Sequence, residues 1–121
     1  MRILTLGFLF ALVASSPLQA AESEGDPHRG QVVYQRYCVS CHGKFGDGNG
    51  EFAKWIEPKP RDFRQGIFKW RSTPSGSLPL HSDLERTIEN GLYGTYMPPW
   101  YAIGPRSRRD VIAYRRAIAP W

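Results

Sequence analysis

Residues 38–42 read Cys-Val-Ser-Cys-His, and the rest of the chain can be interpreted outward from this stretch. The thiols of Cys38 and Cys41 have the spacing at which both can add to the vinyl groups of one porphyrin. His42 directly follows the second thiol, so its imidazole is placed to bind the iron from one side. The chain has 2 cysteines, and both belong to this motif. The motif therefore predicts one covalently attached haem c.

Other interpretations of the motif explain fewer of its residues. A structural zinc site needs about four ligands, and the sequence contains no second cysteine pair or histidine cluster to supply the others. A thioredoxin-like redox pair occurs in a βαβ context, which is missing, and does not require an adjacent histidine. A local structural disulfide would leave His42 unexplained. We therefore favour haem attachment.

The first 20 residues have the pattern of a secretory signal peptide. Arg2 precedes an apolar run over residues 3–14, and alanines near the end offer cleavage points. This run is shorter than the roughly 20 residues that span a bilayer. We therefore predict cleavage and a periplasmic location, with an uncleaved membrane anchor as the alternative. Residues 1–20 would then be the signal peptide, 21–26 a flexible lead-in and 27–121 a single domain.

The charge and composition suit a small haem-binding domain. The formal charge of +5 falls to +4 when Arg2 leaves with the signal peptide, and the carboxylates of a haem would offset about half of it. A mature chain of about 100 residues has a small core, of which a buried porphyrin would fill a large part. The 4 Trp, 6 Tyr and 6 Phe residues suit the walls of such a pocket.

Helical patterns surround the motif. Pro27 opens a helix whose inner face carries Gly30 and Tyr34 and continues to Cys41. Gly30 has no Cβ and would allow another helix to approach closely. The glycine-rich residues 43–50 lack the Gly-Lys-Ser/Thr order of a phosphate-binding loop, so they predict a tight turn away from the haem edge. A short helix is expected next, burying Phe52, Trp55 and Ile56.

Two further helices are predicted downstream. One begins at a capping box formed by Ser82 and Glu85 and ends at the Asn90-Gly91 stop signal. The other begins in the same way at Ser107 and Asp110. Their apolar stripes are Leu84, Ile88 and Leu92 in the first helix and Val111, Tyr114 and Ile118 in the second.

The proline-rich residues 57–63 cannot be helical, because a residue before proline avoids the helical region. A carbonyl flanked by these prolines can accept the Nδ1–H of His42, which fixes the tautomer and raises the donor strength of the ring. Pro58 is the first choice for this carbonyl and Pro60 the second. Three cations downstream are candidates to pair with the haem carboxylates, with solvated positions as the alternative: Arg61, Lys69 and Arg71.

Met97 is the candidate for the second iron ligand. The chain has 2 methionines, and the other one is the first residue, within the predicted signal peptide. Met97 lies in a loop over residues 91–100 that glycines and prolines stiffen, although a single methionine can also be a soft core filler. Thioether ligation favours ferrous iron and occupies its last open position. His28 and His81 are the rival ligands.

The order of these features resembles the class I monohaem c-type cytochromes over residues 27–119. The resemblance implies an all-α fold in which the N- and C-terminal helices cross, with short helices and Gly/Pro-rich loops wrapped around one covalent haem. It also implies that Cys38, Cys41, His42 and Met97 bind the cofactor, the last two through its iron.

The resemblance extends to packing positions and to a subgroup. Gly30, Tyr34 and Tyr114 match positions at which the two terminal helices meet. Residues 58–63 and 68–74 are similar to bacterial, periplasmic members related to the small haem domains of respiratory complexes.

These features predict electron transfer between periplasmic redox partners, by a carrier that is not an enzyme. The alternatives are an electron-transfer subunit of a respiratory or dehydrogenase complex and, from another class, a haem gas sensor or haem enzyme with an open iron site. Ligation by Met97 discriminates against the last. Lys44 or Lys59 would steer a partner with an acidic docking surface. We expect a monomer or a subunit of a redox complex, without stable membrane insertion.

Nucleic-acid binding is the remaining alternative, because the last predicted helix is rich in arginine. An exported chain with interspersed acidic residues favours a solvated helix face instead. The arginines concerned are Arg106, Arg108, Arg109, Arg115 and Arg116. We therefore predict no nucleic-acid partner.

Overall fold

The computed structural model describes residues 24–118, and the predicted signal peptide over residues 1–20 lies outside the described residues. Within residues 24–118 the regular structure is helical, without strands, which confirms the predicted all-α fold. None of the described helices is long and apolar enough to cross a membrane. The α-helices are α1 (Pro27–Tyr37), α2 (Val39–His42), α3 (His81–Asn90) and α4 (Pro105–Ile118), with 3₁₀ turns at Ala53–Trp55 and Phe63–Gln65.

Helix α1 begins at a side-chain cap and stops just before the Cys-His motif. The carboxylate of Asp26 accepts a 2.8 Å hydrogen bond from the backbone N–H of His28, and Pro27 occupies the first turn. The backbone N–H of Cys38 closes the helix on the carbonyl of Tyr34 at 2.8 Å. The expected continuous helix up to Cys41 is interrupted at Cys38, which caps the end of α1 and the start of α2.

Helices α1 and α4 cross in close contact, as predicted. A Cβ on Gly30 would lie 1.9 Å from the carbonyl oxygen of Asp110, so only glycine permits this approach. The rings of Tyr34 and Tyr114 pack beside the crossing with their centroids 5.3 Å apart. Buried Val111 and Ile112 on α4 extend the contact into the core.

The carboxylate of Asp110 fastens the same crossing by hydrogen bonds. It accepts the backbone N–H of Asp26 at 2.7 Å and two N–H groups of Arg29, from Nε at 2.8 Å and from Nη2 at 3.0 Å. Burial raises the pKa of Asp110, but these hydrogen bonds outweigh it, so the pKa lies below its usual value. The start of α1 is therefore tied to the middle of α4.

The segment after the glycine-rich loop differs from its prediction. It forms a 3₁₀ turn at Ala53–Trp55, and Phe52 and Trp55 are exposed by 52% and 75%, so their predicted burial is wrong. The reason is that the backbone of this segment lies against α2. Gly50 N–H donates to the Cys41 carbonyl at 3.1 Å, and Phe52 N–H donates to the Ser40 carbonyl at 2.9 Å. This arrangement leaves small Ala53 inside and the large rings outside.

Helices α3 and α4 begin earlier than predicted. The N-cap of α3 is Leu80, whose backbone N–H donates to the buried carboxylate of Asp83 at 3.0 Å. The predicted capping box of Ser82 and Glu85 is therefore wrong by two residues. Helix α4 begins at Pro105, two residues before the predicted Ser107, because proline is well suited to a first helical position.

Asp83 also holds the loop that precedes α3. Its carboxylate accepts hydrogen bonds from the backbone N–H of Ser72 at 3.0 Å and from the hydroxyl of Ser72 at 3.1 Å. Arg86 pairs with the other carboxylate oxygen at 2.6 Å. One buried side chain thus anchors residues 72–80 to the first turn of α3.

Candidate haem site

A cavity of about 420 Å³ lies beside the crossed helices. Its wall includes all four predicted site residues: Cys38, Cys41, His42 and Met97. Much of the remaining wall is apolar or aromatic, with Tyr34, Phe63, Phe68, Leu84, Ile88 and Val111 among its residues. The fold thus brings residues from distant parts of the sequence to one chamber.

The imidazole of His42 is held on two sides. Its Nδ1 lies 3.3 Å from the carbonyl oxygen of Arg61, and the ring of Phe63 stacks on it at a centroid distance of 4.5 Å. Because a carbonyl only accepts, Nδ1 carries the proton, and Nε2 is the nitrogen left to bind a metal. Burial lowers the pKa of His42, and the bond to Arg61 opposes this effect. The ring is therefore neutral and oriented, and its Nε2 can donate a lone pair to a metal.

The carbonyl that supports His42 belongs to neither predicted proline. Both Pro58 and Pro60 line the cavity, but the acceptor is the next residue, Arg61. The carbonyl oxygen of Pro60 instead faces the glycine-rich loop, 2.6 Å from where a Cβ on Gly48 would lie. Successive carbonyls of an extended chain point to opposite sides, so the prediction was correct for the segment and wrong for the residue.

The two cysteines are free thiols. Burial, and then the neighbouring Cys41, raises the pKa of Cys38 to about 12. Addition to vinyl groups uses thiols that are not joined to each other, so both are in the required chemical state. The local disulfide considered from the sequence is not formed here.

Tyr34 links the helix crossing to the motif, a role that no local pattern in the sequence indicates. Its hydroxyl donates a 2.7 Å hydrogen bond to the carbonyl of Gly43, directly after His42. Tyr34 is 2% exposed, and burial raises its pKa. The glycine-rich loop then folds back onto α2, where Gly48 N–H donates to the carbonyl of His42 at 2.9 Å. This agrees with the predicted tight turn, whose direction relative to a haem edge stays a prediction.

The Met97 loop is fixed to the end of α3. The backbone N–H of Met97 donates to the hydroxyl of Thr95 at 3.1 Å, and its carbonyl accepts from the N–H of Leu92 at 3.1 Å. Further along, Trp100 N–H donates to the carbonyl of Ile88 at 2.9 Å. The backbone on both sides of the thioether is therefore tied to the helix that forms one wall.

The two rival histidines lie elsewhere. His28 is exposed near the start of α1, and the Nε2 of His81 lies 3.8 Å from a carboxylate oxygen of Glu85 at the start of α3. Neither belongs to the wall of the cavity, whereas Met97 does.

The predicted carboxylate-binding cations separate into two groups. Arg61 and Lys69 line the cavity. Arg71 donates instead to two backbone carbonyls, those of Phe68 and Pro74, the latter at 3.2 Å. Its side chain therefore braces its own loop.

Arg115 lines the cavity too, so its predicted place on a solvated helix face is wrong. It is 5% exposed, and its guanidinium carbon lies 5.3 Å from the ring centroid of Phe68 and 5.9 Å from that of Phe63. Burial, and then the charge of Arg116, lowers the pKa of Arg115 to about 10. Its spacing of four residues from Val111 is the signal in the sequence, since both then share one helix face.

Arg108 is likewise buried, which corrects the second residue of that arginine group. It donates to the carbonyl of Ile103 at 2.6 Å and pairs with Glu89 at 3.0 Å, so it joins α4 to α3. Arg106 and Arg116 are exposed as predicted, and Arg109 is half-buried.

The donor set and the wall fit a haem c. Two unpaired thiols, an imidazole with a fixed tautomer and a thioether border one mainly apolar chamber. Haem c needs thiols for its vinyl groups and axial donors for its iron, and soft or imidazole donors suit that iron. Cationic side chains in the wall suit its carboxylates.

Comparisons with known proteins agree with this fit. A family model described as cytochrome c oxidase, cbb3-type, subunit III, matches residues 25–114. A chain in the structure of the Kuenenia stuttgartiensis reducing HAO-like protein complex Kustc0457/Kustc0458 is 38% identical, with a TM-score of 0.75. The match covers 78% of this chain and 43% of that chain, so this chain spans less than half of its neighbour's length. No curated protein sequence matches significantly.

Proposed function

We propose that this chain transfers single electrons between protein partners through one covalent haem. The chain belongs to the cytochrome c family described as cytochrome c oxidase, cbb3-type, subunit III. In this proposal Cys38 and Cys41 carry the thioether bonds, and His42 and Met97 are the axial ligands. The observation that carries it is the presence of all four side chains in the wall of one cavity.

The chain's own residues define the properties of the site. Haem c bound here supplies a reversible one-electron couple. The carbonyl of Arg61 accepts the Nδ1 proton of His42 and so raises the donor strength of Nε2. The Met97 thioether favours the ferrous state, and the apolar wall limits access of water to the charge. With His42 and Met97 both holding the iron, the site would leave no place there for a substrate.

The surface near the cavity favours a protein partner with acidic groups. Lys59 and Lys69 are exposed and line the cavity. The ammonium of Lys59 also donates to the Ala53 carbonyl at 3.0 Å, which fixes its position. Lys44 is exposed beside the ring of Phe45. Such cations accelerate encounter with an acidic surface, and added salt weakens the effect.

The chain can act as a free carrier or as the electron-transfer subunit of a larger assembly. The neighbouring structure is that of a reducing HAO-like protein complex, which supports the second arrangement. Size-exclusion chromatography of the native protein from its source separates the two. A carrier elutes as the monomer, and a subunit elutes with other polypeptides.

The same proposal includes export to the periplasm. Its support is the pattern of Arg2, the apolar run and the small residues that end the first 20 positions. Mass spectrometry of the mature protein tests it. Loss of about 20 N-terminal residues is expected, and an intact Met1 in a membrane fraction would favour the anchor instead.

Acid–acetone extraction of the purified protein tests covalent attachment directly. The haem is expected to remain with the polypeptide, and Cys38→Ala or Cys41→Ala should each remove one thioether bond. The matched substitution Ser40→Ala, within the same turn, should leave both bonds intact. Release of the haem from wild-type protein by the solvent would refute covalent attachment.

Carbon monoxide titration of the reduced protein tests the axial ligands. Wild-type protein should bind no carbon monoxide at neutral pH, because both axial positions are filled. Prompt stoichiometric binding would instead support the gas sensor or haem enzyme.

A further inference from the structure

Arg115 stands out among the cations of α4 because it is both buried and part of the cavity wall. It is 5% exposed and lines the same cavity as His42 and Met97. Its neighbour Arg116 carries the same formal charge and is exposed. Two adjacent arginines thus place one positive charge in the cavity wall and one in water.

The surroundings of Arg115 connect it to the predicted iron ligand. The guanidinium lies over the rings of Phe63 and Phe68, and the Phe63 ring also stacks with the imidazole of His42. Both phenylalanines line the cavity. Cation–aromatic contact favours a guanidinium at such a position, and Phe63 is a neighbour that the guanidinium and the imidazole share.

A charge in an apolar wall acts over a longer range than one in water. The Coulomb energy of a pair rises as the local dielectric constant falls, and salt screens buried charges much less than exposed ones. Oxidation of a haem adds one positive charge to the site. A fixed cation in the wall opposes that addition, either directly or by neutralising a haem carboxylate.

We propose that Arg115 sets the reduction potential of this protein, its buried guanidinium in the cavity wall stabilising the reduced over the oxidised state. This role rests on the proposed function, since it requires a haem in the cavity. Arg115 acts on the cofactor as a positioned charge and takes no part in ligation. Arg61 and Lys69 line the same cavity but are more exposed, so water screens them more strongly.

The test is the midpoint potential of the mature holoprotein, measured by spectroelectrochemistry at fixed pH and salt. Arg115→Gln and Arg115→Met remove the buried charge, and Arg115→Met retains a long apolar side chain for packing. Arg116→Gln is the matched control, because it removes the same charge from the adjacent exposed position. Arg115→Lys keeps a cation at the buried site.

The expected result is a fall in potential for both uncharged variants. A shift of about tenfold in the one-electron equilibrium, or about 59 mV, is expected for each. Arg116→Gln should shift the potential by less than a third of this amount, and Arg115→Lys should stay closer to wild type than either uncharged variant. Absorption spectra should keep the wild-type axial-ligand bands, which shows that ligation is unchanged.

Equal potentials for wild type and Arg115→Gln would overturn the proposal, as would equal shifts for Arg115→Gln and Arg116→Gln. If neither uncharged variant acquires haem, the charge serves assembly, and the proposal is again overturned. A failure of the proposed function is distinguishable from a failure of this proposal, because it would already appear in the wild-type protein. Absence of covalent haem or of His/Met bands in wild type would refute the proposed site itself.

Discussion

The α1–α4 crossing and the region around residues 66–101 are built on different principles. At the crossing, protein packs on protein, and Tyr34, Val111 and Ile112 are 2%, 4% and 2% exposed. In the second region, large rings stay outside, with Trp70 exposed by 60% and Tyr96 by 67%. The crossing is thus closely packed, although Tyr34 and Val111 also reach the cavity wall, whereas Trp70 and Tyr96 line the same cavity and stay largely exposed. A bound cofactor is therefore expected to contribute more to the packing of the second region than to that of the crossing.

The largest loss of stability is expected when the crossed helices are forced apart. Gly30→Val would place side-chain atoms inside the backbone of Asp110, since even a Cβ would lie 1.9 Å from that carbonyl oxygen. We expect a loss of about 3 kcal/mol or more in the free energy of unfolding, measured by urea denaturation of the holoprotein. Gly104→Ala is the control, because its added Cβ would meet nothing within 4 Å. Similar stability for Gly30→Val and wild type would contradict the described crossing.

Removing the carboxylate of Asp110 should have the next largest effect. Asp110→Asn weakens charge-assisted hydrogen bonds from Arg29, and we expect it to cost about 2 kcal/mol. Asp62→Asn, which weakens a pairing with exposed Arg64, should cost much less. Urea denaturation near neutral pH measures both losses. Equal losses would show that the hydrogen bonds to the Asp110 carboxylate add nothing to the stability of the crossing.

The pH dependence sharpens this prediction. The folded-state pKa of Asp110 lies below its usual value, so its contribution is present above about pH 4, the usual pKa of an unfolded Asp. It is lost as pH falls toward the folded-state pKa. Wild-type stability should therefore fall more steeply below about pH 4 than that of Asp110→Asn. Parallel pH profiles would contradict the proposed contribution.

A smaller and more local effect is expected in the region around residues 66–101. Met97→Ala should open the iron to carbon monoxide, and amide exchange in residues 91–100 should become about tenfold faster, or about 1.4 kcal/mol less protected. Exchange in α1 and α4 should change little, because the crossing does not depend on this ligand. Met97→His is the matched variant, keeping two axial ligands but lowering the potential. Equal acceleration in α1 would show that the two regions are not separate.

The smallest effect is expected at the residue that joins the crossing to the Cys-His motif. Tyr34→Phe removes the hydrogen bond to the Gly43 carbonyl while retaining the ring against Tyr114. We expect a loss of about 1 kcal/mol in the free energy of unfolding. The exposed Tyr93→Phe provides a control of the same chemistry, and it should leave the urea midpoint unchanged.

The sequence predicted the elements that local patterns specify. The helix order, the close approach at Gly30 and the turn after His42 all agree with the structure. Cys38, Cys41, His42 and Met97 come together in one wall, and their binding of haem stays a prediction. These successes have one cause. A fixed motif spacing, or a glycine on an apolar helix face, constrains the chain whatever surrounds it.

The errors concern direction and burial, which depend on distant contacts. Arg61 supports His42 because the Pro60 carbonyl faces Gly48, and no local pattern states which way a carbonyl points. Arg115 lies inside because Phe63 and Phe68 fold over it from elsewhere in the chain. Phe52 lies outside because its own backbone occupies the contact with α2.

The double restraint on His42 has a consequence for the speed of electron exchange. The Arg61 carbonyl at one edge and the Phe63 ring against one face allow this imidazole little room to turn. A ligand that cannot turn keeps nearly the same bond geometry in both oxidation states. If His42 binds the iron as proposed, the nuclear rearrangement that accompanies each transfer would be small. The rate would then be set by how closely a partner can approach, and the same rigidity would serve electrons moving in either direction.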